Sequence, residues 1–508
     1  MVRVRFAPSP TGYLHIGGVR TALYNYLFAR NQKGRFVLRI EDTDRSRFVQ
    51  DAESYIAETL RWLDIEPDES PWHGGEFGPY RQSERTEQYQ YYVQQILASG
   101  KAYYAFDTES ELEEMRQRMK AAGVANPQYN AASRMHMRNA LTLPPEEVQA
   151  LLKSKHPCVV RLKVPSRDTI RFYDRVRGWI KVQTSTLDDK VLLKSDGLPT
   201  YHFASVVDDH LMQISHVIRG EEWIPSTPTH VLLYQSLGWH TQVPEFVHLP
   251  LLLKPEGTGK LSKRDAEQYG FPVFPLSWRD AENKQWAKGF RQEGYLPEAL
   301  LNFLALLGWS PKGEHECLSR QMLTEAFDLH GVGKAGVKFD IRKAGWFNQQ
   351  HLRAQSDTHL TQYLRKPLED LQIRYSEAQL LSVVALVKER TVFPKDFWHY
   401  GKCFFVAPKE NITVELKAEE RASVLNALAC LSAAWNQAAS FTESYIEGTF
   451  EQSAQQTSLK TGRLMQAVRS ALTGLRIGAE LVPTVLLLGA QESVVRLQRA
   501  RNVYAGIS

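Results

Sequence analysis

Residues 2–40 read VRVRFAPSPTGYLHIGGVRTALYNYLFARNQKGRFVLRI. Apolar and basic residues alternate over Val2–Phe6, which predicts a strand. A loop rich in Pro, Ser, Thr and Gly follows, and then five apolar residues recur at the spacing of one helix face. Gly34 ends this helix, and Phe36–Ile40 predicts a second strand. The segment therefore predicts a βαβ unit with parallel strands, and open sheets of this kind bind ligands where their strands end. The five apolar residues are Val19, Ala22, Leu23, Tyr26 and Leu27.

The pattern of predicted helices and strands changes several times along the remaining sequence. Charged helical stretches and strand-like segments predict an α+β insertion at residues 101–190, which interrupts an α/β domain made of residues 1–100 and 191–275. Helical patterns dominate afterwards, first over residues 276–375 and then over an almost wholly helical region at residues 376–508. The sequence thus predicts an α/β fold with a parallel sheet, an inserted α+β domain and an all-α C-terminal region.

Two local signals make sharper predictions. Ser83 precedes a helical pattern that runs to Ala98, so we expect Ser83 to cap that helix. The Asp196-Gly197 pair lies between two apolar runs, Val191–Lys194 and Thr200–Val207. Asp-Gly between such runs is typical of a hairpin turn, and we therefore expect both runs to be strands.

The composition is that of an ordinary globular protein. Of the 508 residues, 43% are hydrophobic and 23% are charged, and the net charge of +5 permits a polyanionic partner without requiring one. The four cysteines show no CxxC spacing, and His315-Glu316-Cys317 lacks the second pair of ligands that a zinc site needs. No run of about 18 apolar residues occurs, so we expect a cytoplasmic protein without a membrane span.

The loop after the first predicted strand has the features of a phosphate site. Gly12 and Gly17-Gly18 leave backbone amides uncovered, and the helix that begins near Gly17 directs its N-terminal N–H groups toward the same place. His15 lies just before that helix and can donate a hydrogen bond to a phosphoryl oxygen. The alternative is a Gly-rich turn with a surface histidine, which this motif alone does not exclude.

A second basic loop lies far along the chain, at Pro255–Arg264. It is not a P-loop, because that motif would need glycine in place of Lys254 and Ser or Thr in place of Leu261. Lys260 and Lys263 could neutralise the charge of a triphosphate as pyrophosphate leaves. Taken alone, this stretch is better explained as an exposed basic loop.

Taken together, the two motifs resemble the HIGH and KMSKS signatures of class I aminoacyl-tRNA synthetases in type, order and separation. Other stretches resemble bacterial glutamyl-tRNA synthetase, and the resemblance extends over essentially the whole chain. It implies a Rossmann-like catalytic domain, an insertion that binds the tRNA acceptor end, a helical domain that contacts the tRNA stem and a helical anticodon-binding domain. The resembling stretches are Arg5–Gly12, Leu38–Asp44, Thr200–His202, Val207–His210, Val217–Trp223 and Leu300–Trp309.

The resemblance implies roles for particular residues. It assigns Arg219 to the substrate carboxylate, and a guanidinium fork suits that group because it binds a carboxylate through two N–H donors. The implied contacts to glutamate are Arg5, Ala7, Ser9, Glu41, Tyr201 and Arg219. The implied contacts to ATP are Pro8, Gly12, His15, Gly17, Gly18, Leu251, Lys260, Ser262 and Lys263, of which the catalytic residues are His15, Lys260 and Lys263. For Glu41-Asp42-Thr43-Asp44 the alternatives are a turn of carboxylates at the end of a strand or a metal site, and Asp42 and Asp44 stay unassigned.

Substrates and partners also follow from the resemblance. They are L-glutamate, ATP with Mg²⁺, and tRNA(Glu), while charging of tRNA(Gln) stays open, and the family is usually monomeric. Arg463, Arg469 and Arg476 correspond to a tRNA-binding segment, although a solvated basic face would look the same. Some members carry a zinc knuckle in the insertion, but the corresponding stretch Lys101–Asp107 has no cysteine, so no structural zinc is expected.

Other functions compete with the glutamate–tRNA ligase prediction. A truncated relative that glutamylates queuosine in tRNA lacks an anticodon domain, and the long helical region here argues against it. Glutaminyl-tRNA synthetase fits less well, since Arg219 suits a carboxylate rather than an amide. A catalytically silent tRNA-binding paralogue would have no reason to keep His15, Lys260, Lys263 and Arg219 together.

Overall fold

The computed structural model describes four stretches of the chain, namely residues 1–262, 265–279, 285–408 and 418–506. The contacts within the chain divide it into two compact units. The first unit comprises Met1–Gln292 and Leu300–Ile341, and the second comprises Glu293–Ala299 and Arg342–Ser508. None of the helices in the described stretches combines the length and the apolar content that crossing a bilayer requires.

The strands all lie in the first unit, within the described residues, and six of them form its main sheet in the order β2-β1-β8-β9-β5-β6. Neighbouring strands are parallel except for β6, which is antiparallel to β5 at the edge. The predicted parallel sheet is therefore confirmed. The strands are β1 (Arg3–Phe6), β2 (Arg35–Leu38), β3 (Ala102–Ala105), β4 (Val159–Leu162), β5 (Thr169–Asp174), β6 (Gly178–Gln183), β7 (Val191–Leu193), β8 (His216–Gly220), β9 (Glu245–Leu249), β10 (Leu252–Leu253), β11 (Trp278–Arg279), β12 (Trp286–Ala287) and β13 (Val337–Lys338).

Helices make up the rest of the regular structure of the first unit and, within the described residues, all the regular structure of the second unit. They are α1 (Ile16–Asn31), α2 (Ala52–Trp62), α3 (Thr86–Ala98), α4 (Glu109–Ala121), α5 (Pro145–Lys153), α6 (Tyr201–Leu211), α7 (Thr227–Ser236), α8 (Asp265–Tyr269), α9 (Phe290–Glu293), α10 (Pro297–Ala305), α11 (Arg320–Ala326), α12 (Ile341–Arg353), α13 (Asp357–Leu360), α14 (Gln362–Asp370), α15 (Glu377–Val387), α16 (Pro394–Gly401), α17 (Ala418–Asn436), α18 (Glu443–Gln456), α19 (Thr461–Thr473), α20 (Leu481–Leu488) and α21 (Ala490–Ala505).

The predicted βαβ unit is present as β1, α1 and β2, with β1 and β2 parallel and in register from Arg3↔Arg35 onward. Helix α1 is more buried than a single apolar face predicts. The phenol of Tyr24 donates to the carbonyl of Ala305 at 2.9 Å, and the amide of Asn25 donates to the carbonyl of Ile218 at 3.1 Å. These bonds satisfy polar groups that would otherwise be costly to bury, and they fix the helix, and the loop before it, against its surroundings.

Two local predictions are wrong. The run Thr200–Val207 is not a strand but the start of α6, because Phe203, Val206 and Val207 are buried at helical spacing. Ser83 does not cap α3, which begins at Thr86. The Ser83 backbone N–H and hydroxyl instead donate to the carboxylate of Asp42, at 2.8 and 2.6 Å.

The range predicted for the insertion contains two different structures. Strands β3 and β4, with β7, form a separate three-stranded antiparallel sheet. The hairpin of β5 and β6 instead extends the main sheet, since Asp174 pairs with Phe246 of β9. Residues from the hairpin thereby come next to the strands that carry the site.

The second unit is helical throughout its described residues, as the sequence predicts for its C-terminal region. One buried cluster forms around Trp435, whose indole N–H donates to the Thr449 hydroxyl at 2.8 Å. A second cluster packs α13, α14, α15 and α16 together through residues such as Leu364, Val384 and Phe397. Helix-spaced leucines and valines in both clusters explain why the pattern is readable from sequence.

Candidate active site

A cavity of about 1100 Å³ opens in the first unit, next to the ends of β1 and β8. It brings together most residues that the sequence predicts for glutamate and ATP. Gly12 does not line it, and Lys263 lies outside the described residues. The predicted residues that line the cavity are Arg5, Ala7, Pro8, Ser9, His15, Gly17, Gly18, Glu41, Tyr201, Arg219, Leu251, Lys260 and Ser262.

His15 caps helix α1. Its Nδ1 accepts a hydrogen bond from the Gly17 N–H at 3.1 Å, while its carbonyl accepts from the N–H groups of Gly18 and Val19. Because Nδ1 is the acceptor, the proton of the neutral ring resides on Nε2. The ring N–H of His15 therefore lies at the positive end of the helix, a position that suits an anionic oxygen.

Gly17 and Gly18, which follow His15, have different surroundings. A Cβ on Gly18 would come within 2.5 Å of the Leu14 side chain, so a larger residue there would require Leu14 to shift. A Cβ on Gly17 would meet only His15 Nδ1, at 3.5 Å. Gly17 is thus the glycine whose absent side chain keeps the cavity wall open at the start of the helix.

Arg219 is the most unusual charge in the cavity. It is 5% exposed and donates to four acceptors. None of these acceptors carries a negative charge. They are His248 Nε2 at 3.1 Å, the Tyr201 hydroxyl at 3.1 Å, the Thr227 hydroxyl at 2.9 Å and the Trp223 carbonyl at 3.4 Å.

Burial shifts the protonation equilibria of Arg219 and of its neighbour Tyr201. Desolvation lowers the pKa of Arg219 and raises the pKa of Tyr201, so the phenol stays neutral. A buried cation with only neutral acceptors is costly unless an anion joins it. The arrangement is therefore complementary to an anionic ligand in the cavity.

The other charges at this end are already neutralised within the protein. The carboxylate of Asp209 accepts from Arg5 at 3.0 and 3.2 Å and from Arg39 at 2.7 Å. Although burial alone would raise it, these two guanidinium groups hold the pKa of Asp209 below its usual range. Glu41 accepts from Arg39 at 3.1 Å, and desolvation raises the pKa of Glu41. Arg5 and Glu41 line the cavity, but each has an internal counterion.

The acidic turn after β2 is engaged by protein groups. Asp42 accepts from Ser83, and Asp44 accepts from the Ser46 hydroxyl at 2.7 Å and from Arg47 Nε at 2.7 Å. With Glu41 bound to Arg39, the three carboxylates of the turn have separate partners rather than a shared centre. No group of metal-ligating side chains occurs within the described residues.

The basic loop lines another part of the cavity wall and is held by ion pairs, of which the one at Lys260 is exposed. Lys260 Nζ donates to Glu222 at 2.5 Å, with side chains 55% and 40% exposed. The Ser262 hydroxyl and backbone N–H donate to Asp265, which also pairs with Lys254 at 2.8 Å. These contacts hold the loop against the cavity while its lysine remains accessible.

Several residues of the site are absent from the sequence-based prediction. Thr227 and His248 contact Arg219, and Asp174 accepts from the ring of His248 at 2.6 Å. Asp209 joins Arg5 to Arg39 from within α6. Isolated Asp, His and Thr residues give no signal of their own, and only the Val207–His210 stretch drew attention to Asp209.

The three arginines predicted to contact tRNA lie on or just after α19 in the second unit. Arg463 pairs with Glu420 at 2.6 Å, and Arg469 donates to the Ala479 carbonyl. Desolvation lowers the pKa of Arg469, and Arg476 is exposed. Arg463 and Arg469 thus have structural contacts within this unit, and Arg476 is the most accessible of the three.

The chain matches two family descriptions. Residues 1–272 and 273–346 match tRNA synthetases class I (E and Q), catalytic domain, and residues 358–501 match an anticodon binding domain. The described fold, with its parallel sheet and helical C-terminal region, agrees with both matches.

Relatives that match over nearly their full length identify the family more specifically. A glutamate–tRNA ligase of Amoebophilus asiaticus is 54% identical over 502 residues, which cover 99% of this chain and 98% of the relative. Another from Cytophaga hutchinsonii is 51% identical and covers 98% of this chain and 97% of its own length. The crystal structure of a glutamate tRNA ligase from Elizabethkingia meningosepticum in complex with its amino acid has a TM-score of 0.88, 46% identity and 99% coverage of both chains. The chain therefore belongs to the glutamate–tRNA ligase family of class I tRNA synthetases.

Proposed function

We propose that this protein is a glutamate–tRNA ligase that works in two steps in its cavity. The α-carboxylate of L-glutamate attacks the α-phosphorus of ATP, which gives glutamyl adenylate and pyrophosphate. A ribose hydroxyl of the terminal adenosine of tRNA then attacks the adenylate carbonyl, and AMP leaves. No side chain of the protein forms a covalent intermediate, so the protein acts by positioning and by electrostatic stabilisation.

The observation that carries the proposal is the environment of Arg219. Its guanidinium is buried among neutral acceptors, while Arg5 and Glu41 have counterions of their own. A side-chain carboxylate of the substrate would supply the missing negative charge, whereas the amide of glutamine would not. We therefore assign the glutamate side chain to Arg219 and Tyr201, and the remainder of the amino acid to the wall formed by Arg5, Ala7, Ser9 and Glu41.

ATP would lie between the two motifs. His15 offers its Nε2–H at the start of α1, beside Gly17 and Gly18, and Pro8 and Leu251 line the same cavity. Lys260, Ser262 and Lys263 would neutralise charge as pyrophosphate leaves, which requires Lys260 to exchange Glu222 for phosphate. Mg²⁺ would bind together with ATP, because it takes most of its ligands from substrate phosphates and water.

The tRNA would contact the remaining regions. We assign the acceptor end to residues 101–190, the stem to residues 276–375 and the anticodon to residues 376–508, with Arg463, Arg469 and Arg476 as candidate contacts. The match to an anticodon binding domain at residues 358–501 supports this division. We expect a monomer that acts in the cytoplasm and holds no structural zinc.

The test is to charge purified tRNA(Glu) and tRNA(Gln) with labelled glutamate, ATP and Mg²⁺, with Lys260→Ala as the reference of strongly reduced activity. Charging of tRNA(Glu) alone would establish a discriminating ligase. Charging of both would show a non-discriminating ligase whose product on tRNA(Gln) needs a transamidating partner. If the wild type charges neither and equals Lys260→Ala, the ligase proposal is wrong and the protein only binds tRNA.

A further inference from the structure

Asp174 and His248 form a buried pair directly behind Arg219. His248 lies on β9 and Asp174 ends β5, and both side chains are fully buried. His248 Nδ1 is 2.6 Å from Asp174 Oδ2, and His248 Nε2 accepts from Arg219 Nε at 3.1 Å. Hydrogen bonds thus connect the carboxylate of Asp174 through the imidazole of His248 to the guanidinium of Arg219, the group to which we assign the substrate carboxylate.

The contacts of Asp174 fix the protonation of the ring. Its carboxylate accepts backbone N–H bonds from Val176 at 2.9 Å, Arg177 at 2.7 Å and His248 at 3.1 Å. A carboxylate that accepts these three N–H bonds acts as an acceptor on both oxygens, so it also accepts from the N–H of the imidazole. The proton of the neutral ring is therefore on Nδ1, and Nε2 presents a lone pair to Arg219.

That lone pair is what holds the guanidinium in its orientation. Arg219 Nε–H points at Nε2, and the Thr227 hydroxyl, which accepts from Nη2, lies 3.2 Å from the same nitrogen. The other tautomer would place an N–H against the N–H of Arg219, and the side chain would have to turn away. With Nε tied back, the Nη1 edge faces Tyr201 at the cavity.

We propose that the Asp174–His248 pair positions Arg219 for the carboxylate of glutamate, and that it thereby sets the affinity for the amino acid. Neither residue lines the cavity, so neither is a catalytic residue. This inference rests on the proposed function, because it names the group that orients the glutamate-binding arginine. It also explains why the position of the β5–β6 hairpin matters, since Asp174, the last residue of β5, supplies the carboxylate that contacts His248.

The experiment compares variants of the full-length protein in steady-state charging of tRNA(Glu). His248→Leu removes the acceptor, whereas His248→Gln offers an amide oxygen near the position of Nε2. Removing the partner that orients a metal-binding side chain typically costs about 10- to 100-fold in affinity or activity, and we use the same range for the partner of Arg219. We expect His248→Leu to raise the KM for glutamate about tenfold or more with the KM for ATP within about twofold, and His248→Gln to recover most of that loss.

Asp174→Asn provides an independent test that leaves the ring in place. An amide N–H toward Nδ1 would favour the opposite tautomer, so we expect the same selective rise in the KM for glutamate. His216→Gln is the matched control, because His216 is a largely buried histidine of the same sheet that faces Glu245 outside the cavity. Its KM values should equal those of the wild type.

The outcomes separate this inference from the function on which it rests. A wild type that does not charge tRNA with glutamate contradicts the proposed function. A wild type that charges normally, with His248→Leu and Asp174→Asn keeping the wild-type KM for glutamate, overturns the positioning role. A loss shared equally between glutamate and ATP, with no recovery in His248→Gln, also overturns it, since a purely structural role predicts that result.

Discussion

Two parts of the cavity wall, which we call the Arg219 end and the Lys260 end, hold their cations in opposite ways. Arg219 is 5% exposed and is fixed by four neutral acceptors, whereas the Lys260 side chain is 55% exposed and is held by one carboxylate. At the first end the protein has removed water and left a charge uncompensated. At the second end the charge is compensated, but by a partner that water and ligand can replace.

This difference matches what each end has to do. A buried, preorganised cation discriminates between a carboxylate and an amide, because a wrong ligand leaves it unpaired in a medium of low dielectric constant. An exposed ion pair contributes only about 0–1 kcal/mol and so can be exchanged at little cost. Selection of the amino acid therefore belongs to the rigid end, and the change of contacts during catalysis belongs to the basic loop.

Replacing the buried cation should give the largest effect. We expect Arg219→Gln to lower kcat/KM for glutamate by about 10²- to 10³-fold, because losing one partner of a buried charge pair costs about 2–5 kcal/mol. The measurement is charging of tRNA(Glu) over a range of glutamate concentrations. Arg61→Gln, which removes an exposed arginine of α2, should leave kcat/KM unchanged. Equal activity of Arg219→Gln and wild type would refute the role given to the buried end.

The basic loop should respond in kcat rather than in affinity for the amino acid. We expect Lys260→Ala to lower kcat by about 10²-fold with the KM for glutamate unchanged, because the lysine acts on charge that develops in the transition state. The measurement is the same charging assay at saturating ATP. Lys312→Ala is the control, since Lys312 is 91% exposed and lies outside the cavity. A rise in the KM for glutamate with normal kcat would instead place Lys260 at the amino-acid end.

The sequence predicted the site better at its local features than at its long-range ones. The βαβ unit, the position of His15 just before a helix and the lysine of the basic loop are each encoded within a few neighbouring residues. The Asp174–His248 contact joins residues 74 positions apart, and no local pattern predicts that β5 pairs with β9. The two residues come into contact only once the sheet has formed.

The two wrong local predictions have the same origin. The turn at Asp196-Gly197 is local and is present, with the Lys194 carbonyl accepting from the Gly197 N–H, but packing decides the structure of the next segment. The residues after Thr200 are buried on one helical face of α6, and this burial outweighs the hairpin signal. Ser83 was available as a cap, but Asp42, 41 residues earlier, takes its hydroxyl.

The acceptors around Arg219 allow a finer test of the buried end. We expect Tyr201→Phe to raise the KM for glutamate about tenfold, because a hydrogen bond to a charged group is worth about 1.5–3 kcal/mol. Tyr234→Phe is the matched control, since its buried hydroxyl has no hydrogen-bond partner among the described residues. That control should be neutral or slightly stabilising, and an effect as large as that of Tyr201→Phe would show that the hydroxyl of Tyr201 is not special.

The last prediction concerns a different quantity, the dependence of stability on pH near Tyr201. His202 lies next to Tyr201, and its Nδ1 is 3.2 Å from Nε2 of the buried His230. Burial lowers the pKa of His202 from 6.5 to about 4, and the nearby Lys190 and Arg219 act in the same direction. The folded protein therefore keeps this ring neutral at pH values where the unfolded chain protonates it.

The sign of the effect follows from that difference. Above pH 6.5 both states are neutral and His202 contributes no pH dependence, whereas between pH 6.5 and about 4 the unfolded state binds the extra proton and stability falls. We expect the thermal midpoint of the wild type to drop more steeply than that of His202→Gln over this window, by an amount equivalent to roughly 1–3 kcal/mol. His240→Gln, at an exposed histidine of the same unit, should follow the wild type. Parallel curves for wild type and His202→Gln would mean that the ring is hydrated in the folded protein, and the buried end would then be less dry than its contacts indicate.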